Sequence, residues 1–152
     1  MSGVTTLQKG FPLALVAQAT TLSTNFGGGT PRPNMTAGCA KVPDASSQAR
    51  IYQWFNTSCF SAPSSFGFGS QGRVDPNVRS AGINNFNFAL YKNTAITERA
   101  NLQFRAEVFN AANRVQFNAP GNVFGTATFG VVSDVATQTD PLLIQFGLRL
   151  SF

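Results

Sequence analysis

The chain has 152 residues, of which 43% are hydrophobic and only 11% charged, with a formal net charge of +5 and no histidine. That length suits about one domain, and the missing histidine removes the Ser-His-Asp and Cys-His nucleophile pairs together with most zinc and haem sites. The positive sign comes from a shortage of acids, and the basic residues lie singly from Lys9, Arg32 and Lys41 to Arg105, Arg114 and Arg149, so no phosphate-tracking stripe and no nucleic-acid partner are expected.

At the front, Leu7, Phe11, Leu13, Leu15 and Ala17 share one parity, broken at Lys9 and accompanied by Gly10 and Pro12. This predicts a strand over residues 4–18 with a kink or bulge. The same region imitates a signal peptide: the apolar run Phe11 to Ala17 leads into Ala17-Gln18-Ala19, a small-x-small pattern. No stretch approaches the roughly 20 apolar residues of a membrane-spanning helix.

Residues 20–82 are rich in Gly, Pro, Ser, Thr and Asn, punctuated by Gly27-Gly28-Gly29, Pro31-Arg32-Pro33 and Phe66-Gly67-Phe68-Gly69, and no period persists. They are predicted as a long loop. The three glycines make no phosphate cradle, because no Gly-Lys-Ser/Thr follows and no helix begins there.

Period-two alternation then takes over. Residues 84–93 set Phe86, Phe88 and Leu90 against Asn85, Asn87, Ala89 and Tyr91, and residues 100–110 set Ala100, Leu102, Phe104, Ala106 and Val108 against Asn101, Gln103, Arg105 and Glu107. Helix propensity competes in the second segment, but helical steps from Leu102 land on Arg105 and Ala106, so the strand pattern fits better. The polar Thr94 to Arg99 joins the two as a hairpin. After a second loop over 111–140, with a short strand predicted at Thr128 to Val135, residues 141–152 carry Leu142, Ile144, Phe146, Leu148, Leu150 and Phe152 at every even position.

Short turns on one side and long loops on the other, between strands of about ten alternating residues, describe outer-membrane barrels, where closure satisfies every backbone group in lipid. The predicted fold class is all-β: antiparallel strands of a transmembrane β-barrel, about four C-terminal strands of an incomplete barrel, with long extracellular loops. Tyr91, Phe109 and Phe152 suit the interfacial aromatic girdles. A soluble antiparallel sandwich with its apolar faces packed together is the alternative.

In order along the chain stand Gln8-Lys9-Gly10-Phe11-Pro12-Leu13, Arg32-Pro33-Asn34, Trp54-Phe55-Asn56, Asn85-Phe86-Asn87-Phe88-Ala89-Leu90-Tyr91-Lys92-Asn93, Ile96-Thr97-Glu98-Arg99, Leu102-Gln103-Phe104-Arg105-Ala106-Glu107-Val108-Phe109-Asn110, Phe117-Asn118-Ala119-Pro120, Thr128-Phe129-Gly130 and Ile144-Gln145-Phe146-Gly147-Leu148-Arg149-Leu150-Ser151-Phe152. This ordered set resembles the C-terminal end of the TonB-dependent receptors, specifically the Oar-like receptors that carry an N-terminal carboxypeptidase-regulatory-like domain. The resemblance implies a cell outer-membrane protein for nutrient uptake, driven by TonB and the proton gradient without chemistry on the substrate. It also implies that Phe146, Leu148, Leu150 and Phe152 form the aromatic-ended signal read by the barrel assembly machinery. The sequence departs from the family in lacking the plug, the TonB-contacting segment, the regulatory-like domain and most of some 22 strands. It therefore reads as a fragment not competent for transport alone, with outer-membrane lipid, the assembly machinery and, through the missing N-terminal part, TonB as partners. Its final strand running toward the periplasm puts the 94–99 turn there and both long loops outside the cell.

Within that frame, Cys39 and Cys59, twenty residues apart in the first loop, are expected as a disulfide suited to an oxidising compartment; two unpaired thiols are the alternative, and a metal site lacks ligands. Asn101, Gln103, Arg105 and Glu107 are expected to line the lumen, Arg105 and Glu107 either pairing as a structural charge ladder or acting in substrate passage. Trp54, Phe55, Phe60, Phe66 and Phe68 either fold the loop onto itself or grip a ligand. No enzyme, metal or cofactor is expected, since neither a nucleophile–base pair nor a usefully spaced carboxylate pair is found. The second functional reading is a small secreted, disulfide-containing β protein with a binding role, residues 1–19 being its signal peptide and Thr20 its mature N-terminus.

Overall fold

A computed structural model describes residues 1–18, 30–65, 67–136 and 140–152. Its strands in chain order are β1 (Ser2–Gln8), β2 (Pro12–Leu13), β3 (Val16–Ala17), β4 (Asn34–Met35), β5 (Phe60–Ser61), β6 (Asp75–Arg79), β7 (Ile83–Ala95), β8 (Asn101–Phe109), β9 (Val123–Phe124) and β10 (Leu143–Ser151). The only helical element among the described residues is a 3₁₀ turn over Thr57–Cys59. Two compact units result: a sheet unit of residues 1–9, 82–116 and 136–152, and a core unit of residues 10–81 and 117–135.

The sheet unit is one antiparallel sheet in the order β1-β7-β8-β10. Its register converts the sequence alternation into two faces, because directly opposed residues point the same way. Leu90↔Ala106, Phe88↔Val108, Phe104↔Leu148 and Ala106↔Phe146 put the large apolar side chains on one face, while Tyr91↔Arg105, Asn93↔Gln103 and Glu107↔Gln145 put the polar ones on the other. Phe104 and Phe146 stack at 6.2 Å on the apolar face. That face is uncovered, with Phe146 73% and Leu148 72% exposed. Nine residues each in β8 and β10 suit a tilted crossing of a bilayer. The sheet is open, with β1 and β10 at its edges.

Connections differ by end. The β7–β8 turn closes tightly, the Ile96 N–H donating to the Ala100 carbonyl at 2.8 Å. At the other end, where Gln8 faces Ile83 and Phe109 faces Leu143, the long connections leave. There Asn110 and Asn113 adopt φ of 47° and 45°, a left-handed conformation that asparagine tolerates better than most residues. The Asn110 side chain donates to the Asp140 carbonyl at 2.9 Å, and Asn113 Oδ1 accepts from the Leu142 N–H at 3.2 Å. Two asparagines thus end β8 and anchor the start of β10.

The core unit is built oppositely, around Leu13, Leu15, Trp54, Phe55, Cys59, Phe60, Val78, Phe129 and Val132. Phe129 meets Phe55, Phe60 and Phe124 edge-to-face at 5.0, 5.8 and 5.4 Å, the geometry that aromatic quadrupoles favour. The Trp54 indole N–H is satisfied by the Arg79 carbonyl at 2.7 Å. Pairs β2–β6, β3–β9 and β4–β5 frame this core, and β3–β9 is parallel.

Three expectations are corrected. The predicted strand 4–18 stops at Gln8; β2 and β3 belong to the core unit, where Leu13, Leu15 and Ala17 are buried. The break falls at Gly10, where a Cβ would lie 1.8 Å from the Ser80 carbonyl oxygen, so only glycine permits that approach. The described parts of the predicted loops 20–82 and 111–140 are mostly irregular, with a few short strands, but much of them packs into this core unit. No strand forms over 128–135: Phe129 and Val132 turn into the core, isolated bridges join Phe117 to Val135 and Gly121 to Phe129, and the regular pairing falls at Val123–Phe124. The predicted signal cleavage at Ala19 and Thr20, the Gly27–Gly29 run and Phe66 lie outside the described residues.

Candidate functional site

The polar face of the sheet unit centres on Glu107. Strand alternation puts Asn101, Gln103, Arg105 and Glu107 of β8 on this face, and the register flanks them with Ala95, Asn93, Tyr91 and Ala89 of β7 and with Ser151, Arg149, Gly147 and Gln145 of β10. Glu107 is 6% exposed. Its Oε1 accepts from the Arg105 guanidinium, two residues away on the same strand, and from the Tyr91 hydroxyl at 3.3 Å. Its Oε2 accepts from the Gln145 amide at 2.6 Å. A charge-assisted set of this kind is stronger than neutral bonds and leaves the buried anion compensated.

Arg105 is bonded on one side only. Its guanidinium lies 5.3 Å from the centre of the Tyr91 ring, within cation–π range, and its side chain is 51% exposed. Gly147 opposite it carries no side chain, so the wall is lowest beside the guanidinium. Gln103 donates to Asn93 at 3.0 Å, and the Asn101 carbonyl accepts from the Ser151 hydroxyl at 3.4 Å. The arrangement holds the Glu107 carboxylate as a fixed brace and leaves the half-exposed Arg105 guanidinium on the polar face. Tyr91 and Gln145 were the partners that alternation could not pair with Glu107, since only register brings three strands together. Tyr91 sits mid-sheet on the polar face, bonded to Glu107, rather than at a strand end as a girdle residue.

The other predicted residues fall elsewhere. Phe146, Leu148 and Leu150 occupy the apolar face and Phe152 follows the end of β10, fully exposed. Cys39 and Cys59 are joined by a disulfide with Cα atoms 5.6 Å apart, and Cys59 is buried in the core unit. Trp54, Phe55 and Phe60 are buried beside it, whereas Phe68 is exposed.

Sequence inspection also missed Asp75, a buried carboxylate in the core unit that accepts from Lys41 Nζ at 2.6 Å, Gln71 Nε2 at 3.0 Å and the Asn77 N–H at 3.0 Å. Burial opposes its ionisation, but the bonds from Lys41, Asn77 and Gln71 together outweigh that and hold its pKa below the ordinary value. Its partners lie up to 34 residues away, so nothing local announces it. Among the described residues no cluster of three or more His, Cys, Asp or Glu is placed to hold a metal, and no helix is long and apolar enough to cross a membrane.

Compared with known proteins, residues 1–145 match the family model of an outer membrane beta barrel domain. No curated protein and no solved structure matches the chain.

Proposed function

The chain belongs to the outer membrane beta barrel domain family and is a protein of the cell outer membrane, and from that premise we propose that it forms the C-terminal wall of a TonB-dependent transporter for nutrient uptake. The observation that carries this reading is the two-faced sheet: an apolar face of Phe88, Leu90, Phe104, Phe146 and Leu148 for lipid, and a polar face on which Tyr91, Gln145 and Arg105 all bond Glu107. Charged lumen residues tune what a barrel passes. The ordered sequence segments that resemble Oar-like receptors support the finer assignment.

In this reading the fragment contributes wall and does not transport alone, because an open four-stranded sheet encloses no lumen and leaves edges that lipid does not tolerate. Lipid covers the apolar face, the barrel assembly machinery reads Phe146, Leu148, Leu150 and Phe152, and TonB acts through the N-terminal part of the receptor. No catalytic step and no cofactor enter.

The test is a blot of fractionated source cells with an antibody against residues 142–152, followed by crosslinking to TonB. A band far above 16.2 kDa in the outer membrane that crosslinks to TonB is the expected result. An outer-membrane band without the crosslink removes the TonB assignment. A soluble secreted band at or just below 16.2 kDa favours the small secreted binding protein instead.

A further inference from the structure

The core unit carries an open cleft of about 510 Å³ lined by Thr57, Ser58, Phe124, Gly125, Thr126, Ala127 and Phe129. It is shallow and open, so it can meet one face of a ligand but does not enclose it. Two separate segments build it: the 3₁₀ turn that runs into the disulfide at Cys59, and the turn after β9. Gly130 lets them close up, since its φ is 77° and a Cβ there would lie 2.8 Å from the Thr57 methyl. Partly buried Phe124, held edge-on by Phe129 at 5.4 Å, supplies the apolar wall.

The hydroxyls of the cleft are pre-committed in one direction. Ser58 Oγ donates to Asn56 Oδ1 at 2.7 Å, and Thr126 Oγ1 donates to the Val123 carbonyl at 2.7 Å. Having given up their hydrogens, both oxygens can only accept: Ser58 Oγ presents its lone pairs, and Thr126 Oγ1 keeps one beside the bond it accepts from the Thr128 hydroxyl at 3.3 Å. Among the described residues the Thr57 hydroxyl has no partner, which leaves it able to donate. No ionisable side chain lines the cleft.

We propose that this cleft binds a neutral sugar unit, its hydroxyls donating to Ser58 and Thr126 and accepting from Thr57 while a C–H face lies against Phe124. A charged ligand finds no counter-charge among the lining side chains. A peptide brings as many carbonyls as N–H groups, whereas the lining side chains offer one free donor; a sugar hydroxyl can turn to donate or accept and matches this unequal set. The proposal concerns the core unit alone and stands apart from coupling to TonB.

The experiment uses the protein purified from outer membranes in detergent and measures its binding to neutral oligosaccharides, to the same sugars bearing uronic acids, and to neutral peptides. Neutral oligosaccharides are expected to bind. Ser58→Ala, Thr126→Val and Thr57→Val, made separately, are each expected to weaken that binding up to about tenfold. Resistance of the Cys39–Cys59 disulfide, whose Cys59 is buried in the unit, to a mild reductant reports whether the unit has kept its fold, and the variants that keep it decide the outcome. Absence of neutral-sugar binding, a preference for the acidic sugars or peptides, or unchanged affinity in the folded variants overturns the proposal. Because no proton gradient is present, failure of the uptake reading leaves this measurement unaffected.

Discussion

The two units dispose of their apolar residues in opposite ways. The sheet unit leaves Phe146 and Leu148 uncovered and buries Glu107, whereas the core unit buries Trp54, Phe55 and Phe60 around a disulfide. A sheet made for lipid needs no apolar partner of its own, because hydrocarbon covers its outer face. The core unit instead brings its apolar residues together, from segments as distant as Leu13 and Val132. The outward or inward aim of an aromatic side chain is therefore a statement about solvent.

Substitutions sharpen this contrast. Phe55→Ala is expected to have the largest effect, about 3–5 kcal/mol, since Phe55 is fully buried between Phe60 and Phe129. The measurement is Trp54 fluorescence during denaturant unfolding; equal loss of the β-sheet signal at the same midpoint would break the separation of the two units. Leu148→Arg comes next, at about 2–4 kcal/mol if residue 148 lies near the bilayer midplane. Unfolding from lipid vesicles reads it, and a change within about 0.5 kcal/mol, as for an ordinary surface site in water, would mean the face does not meet lipid.

Smaller effects belong to the polar groups. Glu107→Gln leaves Arg105 without its anion, but the half-exposed guanidinium can turn to water, so a loss smaller than that of Leu148→Arg is expected in the same vesicle assay. Asp75 is distinguished by its pH signature. Its folded pKa is lowered, so its contribution is full above the ordinary aspartate value of about 3.9 and fades as pH falls through the lower folded value. Acid titration of Trp54 fluorescence is expected to show that loss below about pH 4, and Asp75→Asn is expected to flatten it while weakening the unit at neutral pH by leaving Lys41 unpaired.

How far these features are legible without coordinates varies from residue to residue. The strands β7, β8 and β10 follow from alternation because each side of a membrane strand meets one kind of surroundings, so Phe86 to Leu90 and Ile144 to Leu150 carry the pattern without interruption. The parity from Leu7 to Ala17 misleads for the same reason: it marks residues bound for an apolar environment without saying which one. Leu7 lies in the sheet unit, while Leu13, Leu15 and Ala17 reach the protein core. The predicted loops carry no period because two-residue strands and turns have no room for one, although Trp54, Phe55 and Phe60 supply the bulk of a core.

By itself, the sequence determined the all-β class, the three alternating strands, the polar set Asn101, Gln103, Arg105 and Glu107, and the absence of histidine chemistry, since these depend on residue type and on a period of two. Only tertiary structure decided that Tyr91 and Gln145 brace Glu107, that Lys41 pairs with Asp75 while Gln71 donates to it, and that the stretches between the strands close around Phe55 and Phe129. The physical reason is range: alternation is set between neighbours along one strand, whereas register, core packing and buried ion pairs arise between segments that the sequence keeps far apart.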